Sequence, residues 1–281
     1  MFRVRCNELL APQVHRLVVE APRVAAARQP GQFVIVRLKE GAERIPLTIA
    51  DADPGAGTIT LIVQAVGHST KEIAGTPADG AIRDVAGPLG KPTHIERWGR
   101  VVCVGGGVGT AVLFPLARAL AEAGNEVITL IGGRSEPYVL LRDELAEFCA
   151  EVLVATEDGS LGVKGLVTAV LADILADGAR RPQAVFAVGP VMMMSAVAEM
   201  TRPQSIATIV SLNPIMVDGT GMCGGCRVTV AGQTRFACVD GPEFDAHQVD
   251  FKELASRQNT YKEAECRLDS AARRGGGKGR S

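Results

Sequence analysis

Over residues 1–97 the apolar positions fall in short runs, Val14–Val19, Gln32–Leu38, Thr58–Val66 and Ala81–Val85. Pro30-Gly31, Pro54-Gly55 and Gly87-Pro88-Leu89-Gly90 separate them. Short β-like runs punctuated by glycine and proline predict a small antiparallel β-barrel or sandwich. From Gly99-Arg100 the rhythm changes. Val101–Val104 reads as a buried strand, followed by a glycine run and an apolar helical stretch to about Ala123. Glu126–Ile131, Val152–Thr156 and Ala184–Val188 read as strands, and Pro137–Cys149, Val163–Leu175 and Val191–Met200 as helices. This alternation predicts a doubly wound, parallel-sheet α/β domain. Near Ser211 the pattern breaks again, into a Gly/Cys-rich loop and a hairpin with strands Arg227–Val230 and Arg235–Val239 turning at Ala231-Gly232-Gln233. The expected organisation is a barrel over 1–97, an α/β domain over 98–210, a small hairpin module over 211–251, and a polar, partly disordered tail over 252–281 that ends basic and glycine-rich.

Composition narrows the class. Hydrophobic residues make up 47% and charged residues 22%, an ordinary globular balance. Aromatics are only 4%, so the cores are expected to be built from Val, Leu, Ile and Ala. A formal net charge of -1 gives no reason to expect a nucleic-acid partner. The first residues lack the apolar stretch of a signal peptide, and no run reaches membrane-spanning length. The expectation is a chain without membrane association in a reducing cytoplasm.

Cysteine placement is the strongest chemical signal. Of seven cysteines, three lie in one segment, Asp218-Gly-Thr-Gly-Met-Cys223-Gly-Gly-Cys226 with Cys238 beyond it. Plant-type [2Fe–2S] sites use C-x4-C-x2-C and a distant fourth cysteine. Here the first position is Asp218, and the other three match. Glycines at 219, 221, 224 and 225 let the backbone wrap closely and aim amides at sulfur. A structural zinc site is the alternative, although it ordinarily brings a second CxxC or a histidine pair. The fourth ligand is open among Asp218, water and another residue. Cys6, Cys103, Cys149 and Cys266 have no partners at metal spacing, and Cys266 reads as a thiol of the tail.

Gly105-Gly106-Gly107-Val108-Gly109-Thr110 follows a strand and opens a helix, a setting suited to phosphate. The strict dinucleotide fingerprint is not met: Thr110 holds its third glycine position, and Gly132-Gly133-Arg134-Ser135 stands where an acidic residue is usual. A tight strand–helix turn is the plain alternative. Two further strand ends, with Asp158 and with Gly189 through Met192, support a nucleotide crevice. Arg134 can hold a 2′-phosphate or be merely solvated. In the barrel, Arg44-Ile-Pro46-Leu47-Thr48, Val63-Gln64 and Gly67-His68-Ser69-Thr70 are candidate cofactor positions. Each taken alone is ordinary turn or strand chemistry. The four histidines form no base–nucleophile setting, and no catalytic side chain is assigned.

Barrel, glycine loop and cysteine segment in this order resemble the ferredoxin–NADP reductase superfamily, and within it the dihydroorotate dehydrogenase electron-transfer subunit group. The string Leu212-Asn-Pro-Ile-Met-Val-Asp218 through Cys226, with Cys238-Val-Asp-Gly-Pro-Glu-Phe244 and Val249-Asp-Phe251, is similar to the small-subunit family of NADH-dependent reduced ferredoxin:NADP+ oxidoreductases, also called sulfide dehydrogenase beta subunits. The resemblance covers about residues 1–251. It implies FAD in the barrel, NAD(H) in the α/β domain and a [2Fe–2S] cluster on Asp218, Cys223, Cys226 and Cys238. It also implies a large iron–sulfur flavoprotein partner, similar to the glutamate synthase small subunit, and ferredoxin as an indirect partner. The implied activity is electron bifurcation. An electron-transfer subunit of dihydroorotate dehydrogenase is the alternative, and a non-catalytic zinc or redox-sensing module a remote one.

Overall fold

The structure, a computed structural model, describes residues 1–259. Seven strands form the first sheet: β1 (Phe2–Ala11), β2 (Val14–Glu20), β3 (Phe33–Arg37), β4 (Ile45–Asp53), β5 (Thr58–Gln64), β6 (Ala81–Ile82) and β7 (Asp84–Leu89). Their order is β6-β1-β2-β5-β4-β3-β7, antiparallel throughout. The edge strands β6 and β7 are separated in sequence by Arg83 alone, so the sheet must curl until its edges meet. Arg83 closes the gap by donating its amide to the Leu38 carbonyl at 3.0 Å. The run expected as one strand over Ala81–Val85 is therefore two, on opposite edges. Alternation puts Ile59, Leu61 and Val63 of β5 inside the barrel with Leu17, Val19, Val34 and Ile49. Short helices α1 (Pro22–Ala27) and α2 (His68–Ala74) pack on this sheet.

The second sheet is built by β8 (Arg100–Gly106), β9 (Glu126–Gly133), β10 (Glu151–Thr156), β11 (Val163–Lys164), β12 (Ala184–Val188) and β13 (Ala207–Ser211). They run parallel in the order β11-β10-β9-β8-β12-β13. Helices α3 (Gly109–Glu122), α4 (Arg142–Ala146), α5 (Val167–Ala176) and α6 (Val191–Thr201) accompany them. Val101, Val102 and Val104 are wholly buried, as a parallel sheet covered on both faces requires. Two expected helices come out shorter. Pro137–Cys149 is a 3-10 turn at Glu136–Tyr138 followed by α4, because Leu141 adopts a left-handed φ of 57° between them. Val163–Leu175 begins as β11, and Gly165, at φ +133°, separates it from α5.

Beyond β13 the hairpin β14 (Arg227–Val230) and β15 (Gln233–Phe236) forms with a turn of Ala231-Gly232 alone, and Gln233, expected in the turn, already pairs with Val230. The second strand ends early, and Cys238 sits on the helical turn α7 (Ala237–Asp240). Asp240 accepts the Phe236 amide at 2.8 Å and fixes that change of direction. Strand β16 (Glu243–Asp245) then joins the large sheet antiparallel to β13. Helix α8 (Phe251–Asn259) seats Leu254 in the main core, so the start of the expected tail is ordered helix. The rest of that tail, with Cys266 and the basic end, lies outside the described residues. Among the described residues no helix is long and apolar enough to cross a membrane.

The barrel and the α/β domain share a core. Val14, Ala50 and Ile62 on the outer face of the barrel pack with Leu113, Phe114 and Ala117 of α3. Asp51 on β4 adds an ion pair to Arg118 on α3 at 3.1 Å, and Arg16 on β2 one to Glu144 on α4 at 2.7 Å.

Candidate functional site

In the α/β sheet β8 is flanked by β9 on one side and β12 on the other, and the crossovers leave it in opposite directions. Such a switch point opens a crevice beyond the carboxyl ends of the strands. A cavity of about 710 Å³ lies there. Gly106, Gly107 and Gly109 line it together with Gly189 and Met192. The glycines are required by space. A Cβ on Gly109 would stand 2.4 Å from the Val188 carbonyl oxygen, and one on Gly106 would stand 2.6 Å from the Met193 sulfur. Gly107, at φ +56°, has nothing within 4 Å of its missing Cβ, so the backbone there is bare toward a ligand.

Arg134 at the end of β9 also lines the cavity, with its guanidinium 5.4 Å from the Tyr138 ring centre. Gln64 reaches it from the barrel, so the crevice lies between the two sheets. Other expected positions serve elsewhere. Gly105 and Thr110 form the buried floor: a Cβ on Gly105 would meet the Thr110 hydroxyl at 2.9 Å. Asp158 binds the Ser160 hydroxyl at 2.6 Å and its amide at 2.9 Å, which hold its carboxyl below the usual range. It shapes the turn, and its neighbour Glu157 lines the cavity instead. Val63 is in the barrel core. Val14, Glu157 and Tyr138 line the cavity and were not expected from sequence. Only the tertiary fold brings Val14 to a crevice formed mostly by residues beyond Gly106.

On the barrel, Pro46, Leu47 and Thr48 pair across β4 with Ile35, Val34 and Phe33. Arg44 just before them is exposed and makes no ion pair or hydrogen bond to the described residues. Ser69 donates its hydroxyl to the Glu43 carboxylate, which draws the start of α2 beside the Arg44 segment. Thr70 accepts the amides of Val66 at 3.1 Å and Gly67 at 3.0 Å, closing that loop on itself. These two candidate segments, far apart in sequence, are therefore one surface.

In the cysteine loop the sulfurs of Cys226 and Cys238 stand 3.2 Å apart and buried, whereas Cys223 is exposed. Amides point at sulfur: Gly225 toward Cys223 and Cys238 toward Cys226, both at 3.4 Å. Gly219, Gly221 and Gly224 hold φ of +76°, +83° and +69°, which the wrap demands. The Asp218 carboxylate accepts the Thr220 amide at 2.8 Å and the Cys223 amide at 2.7 Å. The Thr220 amide, then that of Cys223, holds this carboxyl below the usual range. Two oxygens with about four lone pairs leave room for a further bond. Burial, and then Cys226, push the Cys238 thiol up to about 12. A thiolate there needs a cation beside it, which suits iron bound by this loop. Among the described residues no three His, Cys, Asp or Glu side chains converge on a single-ion site. Met222, Val217, Ile215 and Val239 are exposed apolar residues of the same loop region, a rim no sequence motif announced.

Residues 213–250 match the family model for the iron–sulfur cluster binding domain of dihydroorotate dehydrogenase B, a span that contains Asp218, Cys223, Cys226 and Cys238. A dihydroorotate dehydrogenase B (NAD(+)) electron transfer subunit homolog from Thermotoga maritima is 47% identical over 256 residues, 91% of this chain and 90% of that protein. The chain belongs to this family of electron-transfer subunits. A family member from Fusobacterium nucleatum, a dihydroorotate dehydrogenase B (NAD(+)) electron transfer subunit, is 30% identical over 88% of this chain and 96% of its own length. A solved structure of NADH-dependent reduced ferredoxin-NADP oxidoreductase superposes with a TM-score of 0.88 at 46% identity, covering 93% of this chain and 94% of that one. Phthalate dioxygenase reductase, at 16% identity and a TM-score of 0.60, shares the fold. As a member of this electron-transfer family, the chain is an oxidoreductase subunit of the ferredoxin–NADP reductase type.

Proposed function

We propose that this chain is the small subunit of a bifurcating NADH-dependent ferredoxin:NADP+ oxidoreductase. It exchanges a hydride between NAD(H) and FAD, and single electrons between FAD and a [2Fe–2S] cluster on Asp218, Cys223, Cys226 and Cys238. The observation that carries this reading is Asp218 in the first ligand position, where the four-cysteine pattern has a thiol. The likeness to the solved NADH-dependent reduced ferredoxin-NADP oxidoreductase, 46% identical across nearly the whole chain, supports it.

The chain's own residues divide the work. Gly106, Gly107 and Gly109 admit a pyrophosphate against bare backbone at the opening of α3. Gln64 and Val14 bound the crevice from the barrel side, and Met192 and Met193 line it from the other. The Arg44 segment, with Pro46, Leu47 and Thr48, and the Gly67–Thr70 loop form the surface that would hold FAD. A bound flavin supplies the conversion between two-electron and one-electron traffic. The glycine turns present amides to the sulfurs, and burial of Cys226 and Cys238 shields them from solvent. Hydride transfer needs no acid–base side chain, consistent with a crevice lined mostly by glycine and apolar groups.

The partner proposed is a large iron–sulfur flavoprotein, similar to the glutamate synthase small subunit, with ferredoxin reached through it in the cytoplasm. The apolar rim of Ile215, Val217, Met222 and Val239 beside exposed Cys223 is the surface offered to it. The second reading, an electron-transfer subunit of dihydroorotate dehydrogenase, is favoured by the match of residues 213–250 to that enzyme's iron–sulfur domain. Anaerobic purification with flavin, iron and sulfide analysis, followed by identification of the co-purifying chain, tests both. FAD, a [2Fe–2S] cluster and an iron–sulfur flavoprotein partner are expected. A dihydroorotate-oxidising partner would replace the first reading with the second, and zinc without flavin would overturn both.

A further inference from the structure

The barrel and the cysteine module meet at one carboxyl. Three chain segments converge there: the loop Pro30-Gly31 ahead of β3, the linker Gly90–Thr93 after β7, and Gly241–Phe244 leading into β16. Thr93 gives its amide to the Pro30 carbonyl at 2.9 Å, and Lys91 gives its amide to the Gly241 carbonyl at 2.7 Å. Thr93 donates its hydroxyl to Glu243 Oε1 at 2.7 Å. A Cβ on Gly31 would fall 2.2 Å from the Thr93 oxygen and 2.9 Å from Glu243 Oε1, so the glycine leaves the space this pair fills. On the strand, Glu243 pairs with Ser211, which lines the crevice. Next in sequence, Phe244 packs with Phe33 of the barrel and with the buried thiols Cys226 and Cys238 in one apolar cluster. Glu243 thus anchors the segment that presses the cysteine module onto the barrel.

We propose that Glu243 is a positioning residue that, through its hydrogen bond with Thr93, holds the cysteine module against the barrel and thereby sets electron passage between the two. The inference rests on the function proposed above. Among the described residues Thr93 is the only side chain that hydrogen-bonds this carboxyl, and burial pushes it up to about 7. Among the described residues no cation faces it to offset ionisation. From the loop before β3, Arg28 pairs with Asp51 at 3.6 Å. From the linker, Lys91 is exposed and His94 lies 3.2 Å from Glu96. From β8, Cys103 is buried, with its thiol raised by burial first and by the Cys149 and Glu243 charges after it. On β16 itself, Asp245 is exposed and caps the His247 amide at 2.9 Å. One hydroxyl donor does not replace the water a carboxylate loses, so the charged group is drawn out of the junction.

The test is rapid mixing of the anaerobic holoprotein with NADH from about pH 6 to about pH 9, following flavin and cluster reduction as separate phases. In the unaltered protein the cluster phase is expected to fall above pH 7, by up to about tenfold per unit, while the flavin phase does not follow it. Glu243→Gln keeps shape and hydrogen bonding without the charge, and its cluster phase is expected to stay flat. Thr93→Ser should behave as the unaltered protein, and Thr93→Val should slow the cluster phase at every pH. The same profile in Glu243→Gln and the unaltered protein would overturn the inference. Absence of bound flavin, or of flavin reduction, would overturn the proposed function instead. Amide hydrogen exchange then decides the inference alone: segments 30–33 and 241–244 should lose protection above pH 7 in the unaltered protein and not in Glu243→Gln. Equal protection in both would sink it.

Discussion

Cys226 and Cys238 lie 12 residues apart in sequence, yet their sulfurs stand 3.2 Å apart, the first at the close of the glycine loop and the second on a helical turn after the hairpin. The hairpin β14–β15 returns the chain to its starting point, and this is why a long spacer ends at a short distance. Cys226→Ser and Cys238→Ser are therefore expected to abolish iron and sulfide binding while leaving flavin content near the native level. Metal and flavin analysis of each purified variant checks this. Loss of flavin together with iron would mean that the two sites are not separate.

Asp218 already serves two amides, so its replacement acts on the loop as well as on any metal. Asp218→Cys is expected to retain the cluster with a shifted midpoint potential, read by redox titration of its spectrum. Asp218→Ala removes both acceptors at once and is expected to loosen the loop, read as faster amide hydrogen exchange at Thr220 and Cys223. An unchanged spectrum and midpoint in Asp218→Cys would show that Asp218 is not a ligand.

Gly109→Ala places a methyl group 2.4 Å from the Val188 carbonyl, a contact with backbone that a rotamer change does not relieve. A destabilisation of about 1–3 kcal/mol is expected, from the cost of overpacking. The KM for NADH should rise because the opening of α3 is displaced from the crevice. Steady-state reduction of an artificial acceptor by the flavin measures it, and Gly178→Ala, at an open position, is the control.

Arg118 lies 4.6 Å from the Phe114 ring centre while pairing with Asp51 across the barrel–α3 interface. Its side chain is 34% exposed and that of Asp51 43%, so screening keeps the ion pair to about 0.5 kcal/mol. With the cation–π contact, Arg118→Met is expected to cost about 1–1.5 kcal/mol in denaturant unfolding. The coupling measured with Asp51→Asn should stay below about 1 kcal/mol.

Glu243 also makes stability depend on pH in a known direction. Its carboxyl titrates higher in the folded chain than when unfolded, so the folded state holds more protons between the two values. Its contribution is complete below the ordinary carboxylate range and is lost as pH rises through about 7. Thermal unfolding of the unaltered protein should weaken over that window, whereas Glu243→Gln should lack this part of the slope. An identical slope in both proteins would show that the carboxyl is not held in the junction.

Much of this architecture can be read locally. Periodicity of two in the first ninety residues and the strand–helix alternation after Gly99 depend on neighbours within a few residues, and so does the D-x4-C-x2-C spacing. The helix expected over Pro137–Cys149 is shorter because Leu141 takes a left-handed conformation that no local pattern marks. Asp158 was legible as a polar residue at a strand end, but the turn it builds gives the cavity to Glu157.

The sequence by itself determined the two sheets, the glycine-bearing strand ends and the candidate ligands, because strand alternation, backbone bareness and metal spacing are short-range properties. Tertiary structure alone decided that Gln64 and Val14 of the barrel face the crevice and that β16 returns to the large sheet. It also decided that Thr93 meets Glu243 across 150 residues. Those contacts follow from how two separately patterned surfaces bury each other, and burial of one surface by another leaves no periodic mark on either.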